Sequence, residues 1–214
     1  MRTITRNELD ALCSNGQAID SKNGYPAVVI HNDGTVTKIW ARKKNLFSST
    51  TLIPYSSRFI KNAAKLKKRG IITPTVIDHA KLEKSHIEIV RYTSLTGDSI
   101  RTLLHSTPEK IDLLQLCSYI NSLHQKGIFF GGIHLGNIIQ LSNGYGLIDF
   151  TDVSFSSRPL LPKKRAANLM ITLRYKKDIL ALEKTGHPDL LQTYLKVSAL
   201  STEEQQQIST IISH

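Results

Sequence analysis

The stretch FFGGIHLGNIIQLSNGYGLIDFTD, residues 129–152, decides how this chain is read. An apolar start runs into a glycine-rich loop carrying His134 and Asn137. A second apolar run comes next, then Ser142-Asn143-Gly144, then a third apolar run that ends on Asp149. Asn-Gly between apolar runs signals a tight hairpin. Asn137 and Asp149 therefore flank one small hairpin, offering an amide oxygen and a carboxylate. Both are donors of the kind that magnesium takes. Taken singly, each residue has a plainer reading. An Asn after Gly forms turns, and an Asp after a strand caps the next segment.

Working outward, residues 109–126 read as a long helix with Ile111, Leu114, Cys117, Ile120, Leu123 and His124 on one face, closed by Gly127. GDSIRTLLH starts a helix before it. From Leu161 onward the pattern is mostly helical, with a break at Gly186-His187-Pro188, and the polar final segment reads as a frayed helix. The second half is thus expected to be helical around one hairpin. The first half has the other character. Residues 4–13 read as a short helix and Asn23–Pro26 as a turn. AVVIH and TVTKIW read as strands joined through Asn32-Asp33-Gly34. Residues 41–54 read as polar and irregular. A helix is expected over Ser56–Arg69, stopped by Gly70, with two more strands around a charged turn after it.

Charge is the strongest bulk signal. The 214 residues hold 28 Lys and Arg against 17 Asp and Glu, a net charge of +11. Between Gly34 and Ile77 there are ten Lys and Arg and no acid at all. Such a field attracts phosphates, acidic glycolipids or anionic membrane surfaces. Nucleic acid is not the expected partner, because the aromatic residues of the interval do not interleave with its cations in the manner of a base-stacking surface. No apolar run is long enough for a transmembrane helix, and the N-terminus lacks a secretory h-region. Cys13 and Cys117 match no metal spacing and are expected as reduced thiols. A cytoplasmic protein is expected, with peripheral contact at the inner membrane face through the basic surface.

The order of these features resembles the protein-kinase-like fold. More narrowly it resembles the lipopolysaccharide kinase family, which includes heptose and Kdo kinases and toluene-tolerance-type proteins. The residues that carry the resemblance are Lys38 in TVTKIW, LHQKGI closing a helix, Asn137 in IHLGNI and Asp149 in GLIDF. RFIKNAAKLKKRGIITPTVID and RPLLPKKRAANLMITLRY add to it, so that it covers roughly residues 25–180. The resemblance implies an α+β, bilobal fold. Residues 1–92 would form a small β-rich N-lobe with one helix, and 93–214 a helical C-lobe. It implies ATP and magnesium as cofactors, Lys38 as the phosphate-binding cation, and Asn137 and Asp149 as metal ligands.

The chain departs from that pattern in three places. The family's catalytic Asp lies five residues before the Asn, and Gly132 stands there. The helix Glu that pairs with the strand lysine has no counterpart in the acid-free interval, where Asn62 is the nearest polar candidate. No closely spaced glycine set covers the phosphates. His134 and Asp152 are the remaining candidates for chemistry. In the family a residue at the place of His134 lies near the transferred phosphate, and Asp152 either assists the metal, replaces the base or caps the next segment. Loss of a positioned general base typically costs roughly 10²- to 10⁴-fold. Two readings stay open: a weak kinase acting on an inner-core sugar or related acidic glycolipid, and an inactive pseudokinase serving as a binding or regulatory module. Ser154–Pro162 leads directly into a helix with no peptide-anchoring motif, which favours a small or glycolipid acceptor.

Overall fold

The computed structural model describes residues 1–41 and 53–213. The irregular stretch expected over 41–54 falls mostly outside the described residues. The chain divides into two compact units, Met1–Leu95 and Thr96–His214.

The first unit is a six-stranded sheet with a helix on each face. Its strands are β1 (Arg2–Ile4), β2 (Gly16–Lys22), β3 (Tyr25–His31), β4 (Thr35–Ala41), β5 (Val76–Leu82) and β6 (Ile87–Thr93), in the order β1-β5-β6-β4-β3-β2. Only β1 with β5 is parallel. Helix α1 (Arg6–Ser14) begins at a capping box in which Thr5 and Glu8 satisfy each other's backbone N–H groups. Its Leu9 joins Ile4, Val29, Ile39, Ala80, Leu82 and Ile89 in one apolar cluster. Alternation sends the intervening residues of β4 and β6 to the other face. There Phe59 of helix α2 (Tyr55–Lys68) packs against Trp40 and Tyr92, with ring centroids 5.9 and 5.2 Å away. Gly70 ends α2 with φ +69°, a left-handed turn that suits glycine. The strand β2 is absent from the sequence reading. Asn23 (φ +56°) and Gly24 (φ +79°) form the left-handed turn that folds β2 back on β3.

The second unit is mostly helical. It contains α3 (Ile100–Ser106), α4 (Leu113–Gln125), α5 (Pro162–Leu173), α6 (Lys176–Lys184), α7 (Leu190–Val197) and α8 (Thr202–Ser213). The helix expected from residue 109 starts later, because Asp112 caps it, accepting from the Gln115 N–H. Leu114 is 49% exposed, so the buried face is Leu113, Leu116, Cys117, Ile120, Leu123 and His124. The polar C-terminal segment is a full helix that buries Ile208 and packs on α5. Three short ladders replace the single expected hairpin. The strands are β7 (Asp98–Ser99), β8 (Ile128–Phe130), β9 (Ile138–Leu141), β10 (Gly144–Leu147) and β11 (Val153–Phe155). β10, β9 and β7 form one sheet, and β8 pairs with β11. The strand expected over GLIDF stops at Leu147.

A buried chain of hydrogen bonds runs through this unit to the end of β8. Arg165, 2% exposed, donates to the Tyr194 hydroxyl (3.0 Å), to Asn121 (2.8 Å) and to the Leu160 carbonyl (2.8 Å). Tyr194 Oη and His124 Nδ1 lie 2.7 Å apart, and His124 Nε2 is 3.0 Å from Asn168 Oδ1. Asn168 Nδ2 donates to the Phe130 carbonyl (2.8 Å). Asn168 uses its nitrogen on Phe130, so its oxygen must accept. That fixes the proton of His124 on Nε2 and leaves Nδ1 to accept from Tyr194. Burial, with the Arg165 charge adding to it and the Asn168 bond opposing, lowers the His124 pKa to about 4.

The folded state thus holds His124 neutral while the unfolded chain titrates near the ordinary value. This contribution to stability is complete above pH 6.5 and is lost as pH falls towards 4. By pH 4.5 the natural chain is expected to lose roughly 2–3 kcal/mol more than a His124→Gln variant, each measured against its own stability at pH 7.5. Urea unfolding at the two pH values measures it.

Candidate functional site

The loop after β8 is closed by its own backbone. Gly131 N donates to the Asp152 carbonyl (2.7 Å), Ile133 N to Phe130 (3.1 Å) and His134 N to Gly132 (2.9 Å). Thr172 of α5 donates its hydroxyl to the Ile133 carbonyl (2.9 Å), a second anchor beside the Asn168–Phe130 bond. Leu135–Asn137 is a single 3₁₀ turn, in which Asn137 N donates to the His134 carbonyl (2.9 Å). The Asn137 side chain is 9% exposed, and its Nδ2 donates back to the Gly132 carbonyl (2.9 Å). Its nitrogen is committed there. Among the described residues its Oδ1 has no hydrogen-bond partner.

Gly132, at the place where a general base was sought, has ordinary rather than left-handed backbone. A Cβ built on it would lie 3.0 Å from Cε2 of the fully buried Phe130 ring and 3.4 Å from Asn137 Nδ2. A side chain here would make Phe130 and Asn137 give by a few tenths of an ångström.

His134 is half-buried, and its Nδ1 accepts from the Gly136 N–H (3.1 Å). Its ring lies 4.6 Å from that of Tyr175, centroid to centroid. Burial lowers its pKa, the Arg101 charge lowers it further, and Asp178 and Asp149 oppose. The ring is therefore neutral at pH 7 and carries its proton on Nε2. In this state Nε2–H is a donor, and the ring's one lone pair, on Nδ1, is engaged by the Gly136 N–H.

Asp149 follows β10 with φ +51°, a left-handed conformation that costs a residue with a Cβ and is enriched at functional positions. Its position is set by the ladder: Leu147 pairs with Ile138, and Ile148 N donates to the Asn137 carbonyl (3.0 Å). Asn137 and Asp149 thus meet at the base of one hairpin, as expected. Asp149 is exposed, while Phe150 beside it is fully buried. Thr151 Oγ1 lies 3.4 Å from Asp149 Oδ1. Asp152 is exposed and precedes β11 rather than a helix, so its expected capping role fails. Its carbonyl instead holds Gly131. The structure brings His134, Asn137, Asp149 and Asp152 together in the second unit.

Lys38 lies in the first unit, on β4 opposite Val28 and Val90. Its Nζ is 5.6 Å from the Trp40 ring centroid. Trp40 pairs with Glu88, so Lys38, Trp40, Val90 and Glu88 share the α2 face of the sheet. Ser56, in the first turn of α2, donates to the Glu88 carboxylate, and His79 Nε2 lies 3.0 Å from the same hydroxyl. Asn62, the polar candidate of the helix, is buried. The carboxylate that reaches this face comes from β6. Strand register alone could have revealed it, since Glu88 alternates with Val90 and Tyr92.

The donor chemistry fits magnesium. Asn137 Oδ1 and the Asp149 carboxylate are two hard oxygen donors at one hairpin base. The described residues contain no cluster of three His, Cys, Asp or Glu able to hold a metal. Two protein oxygens suit an ion that brings its remaining ligands as nucleotide phosphates and water.

The order of elements, a β-rich unit with one helix between its strand pairs and then a helical unit with a loop–hairpin–Asp segment, is α+β. No protein-family model matches the chain. No curated protein matches it either. Among solved structures it is similar to the bifunctional kinase-methyltransferase WbdD. Two structures of that protein show 16% identity over 86% of this chain, with TM-scores of 0.48 and 0.49. A co-crystal structure of WbdD with a kinase inhibitor shows 13% identity over the same share, with a TM-score of 0.48. The chain spans less than half the length of these proteins, 46%, 47% and 42%.

The left-handed backbone at Asp149 gives a test independent of ligand. Asp149→Gly is expected to be at least as stable as the natural chain, whereas Asp149→Ala, which keeps the Cβ but loses the polar side chain that makes the left-handed region tolerable to Asp, loses about 1 kcal/mol. Chemical denaturation of the three chains measures it.

Proposed function

We propose that this chain is a kinase-like protein of the lipopolysaccharide kinase type that binds Mg-ATP. The observation that carries the reading is the Asn137–Gly132 hydrogen bond. It turns the Asn137 oxygen out of the loop, at the base of the hairpin that ends on the left-handed Asp149. In this reading Asn137 and Asp149 hold the magnesium, and the metal, when bound, neutralises phosphate charge. Lys38 is carried as the phosphate-binding cation, on the strength of its place in β4. His134 donates its Nε2–H to developing charge on the transferred phosphate rather than acting as a base. Asp152 stays in the proposal as the remaining exposed carboxylate near the loop.

The acceptor proposed is an inner-core sugar or related acidic glycolipid. The exposed lysines of α2, Lys61, Lys65, Lys67 and Lys68, support peripheral contact with an anionic membrane face. No helix among the described residues is long and apolar enough to cross a membrane. A second reading, an inactive pseudokinase that binds without transferring, is favoured by one observation. A side chain at residue 132 would press its Cβ on the Phe130 ring, 3.0 Å away. The kinase reading requires the nucleotide site, whereas the pseudokinase reading keeps the fold as a binding or regulatory module with or without ATP.

Calorimetry with Mg-ATP tests that site. The natural chain is expected to bind in the micromolar to millimolar range, and Asp149→Ala and Asn137→Ala to weaken binding at least tenfold. No binding by the natural chain at millimolar Mg-ATP would overturn the kinase reading and leave a pseudokinase without nucleotide.

A further inference from the structure

The second unit carries a basic cleft that the nucleotide reading does not use. It has a volume of about 560 Å³ and is lined by Arg101 and His105 of α3 and by the Arg174–Asp178 segment that links α5 to α6. Asp178 is the one carboxylate in its lining, 4% exposed and already spent. Arg101 holds it as a fork, Nε to Oδ1 at 2.8 Å and Nη2 to Oδ2 at 2.7 Å. A buried carboxylate tied in this way fixes the guanidinium in place and leaves no acid to neutralise the remaining cations. Arg174, Lys176 and Lys177 are exposed, and among the described residues none has an anionic partner. Three cations crowded around one concavity repel each other unless an anion joins them.

The cleft shares a wall with the loop. The Tyr175 ring stands between the two, 4.6 Å from the His134 ring and 5.2 Å beneath the Arg101 guanidinium. Arg101 also lies directly against the loop backbone: a Cβ on Gly136 would come within 2.7 Å of its Nη1. Gly136 immediately precedes Asn137. A molecule held in the cleft by an anionic group therefore has the His134–Asn137 loop as its neighbour across Tyr175.

We propose that this cleft binds a phosphate monoester on the acceptor sugar and so holds that sugar beside the loop. The assignment rests on the kinase-like reading above. Separate lysine point charges with an arginine suit a tetrahedral dianion approached from several sides. The fork of Arg101 is occupied by Asp178, so an incoming anion meets Arg174, Lys176 and Lys177.

The test uses the full chain without ATP or magnesium. Mannose 6-phosphate, mannose and inorganic phosphate are titrated separately at low salt. The natural chain is expected to bind mannose 6-phosphate at least tenfold more tightly than either of the others. A Lys176→Ala/Lys177→Ala double variant, altered only at exposed positions, is expected to lose at least tenfold, and Arg174→Ala several-fold. A Lys65→Ala/Lys68→Ala variant on α2 is expected to bind as the natural chain does. Equal affinity for mannose 6-phosphate and inorganic phosphate would overturn the acceptor assignment. Equal loss from the α2 variant would overturn the site itself, since binding would then follow overall charge. Because no nucleotide is present, failure here leaves the Mg-ATP result intact, and failure of Mg-ATP binding leaves this one intact.

Discussion

The hydrogen bond from Asn168 to the Phe130 carbonyl fixes the candidate site. It stands at the end of a buried chain that begins at Arg165 and passes through Tyr194 and His124. Every hydrogen bond in it has one assigned donor and one acceptor, so the chain has a single direction and a single protonation state. Thr172 adds a second hold, on Ile133. Between these anchors and the 3₁₀ turn at Leu135–Asn137 the loop has few ways to move. Asn137 is then oriented by its own bond to Gly132, and Asp149 by the ladder that pairs Leu147 with Ile138. The Asn137 and Asp149 oxygens rest on a buried polar frame, whose members would each be costly to leave unpaired.

Much of this frame was hidden from sequence reasoning. The strands β3 and β4, helix α2 with its stop at Gly70, and the Asn137–Asp149 hairpin were legible, because period, turn residues and apolar runs agreed there. His124 read as one more member of an apolar helix face. Its partners Asn168 and Tyr194 lie 44 and 70 residues away, and no local pattern joins them. The strand β2 was missed because GQAIDSK has no strong alternation and is ordered by pairing with β3. Asp149 was legible as a candidate, but its left-handed backbone was not. Glu88 was overlooked because the search followed the helix, while register put the carboxylate on the sheet. The basic cleft depends on an Arg101–Asp178 fork that spans 77 residues.

Gly132 decides what the site can do. A side chain there would press its Cβ on the Phe130 ring, and His134 presents a proton, its lone pair being engaged by the Gly136 N–H. Phosphoryl transfer draws most of its catalysis from positioning and charge neutralisation. Under the proposed reading, in which Asn137 and Asp149 hold a metal and no base stands at Gly132, the site is expected to bind a nucleotide better than it turns one over. A weak kinase and a nucleotide-binding pseudokinase are the two ends of that one physical situation.

The most direct measurement is paramagnetic line broadening by Mn-ATP in amide spectra of the full chain. Mn²⁺ takes the place of magnesium and broadens resonances near its site. The account predicts broadening concentrated at residues 132–137 and 148–152 and abolished by Asp149→Ala. Broadening spread along the basic face of α2, with the hairpin base unaffected, would contradict it.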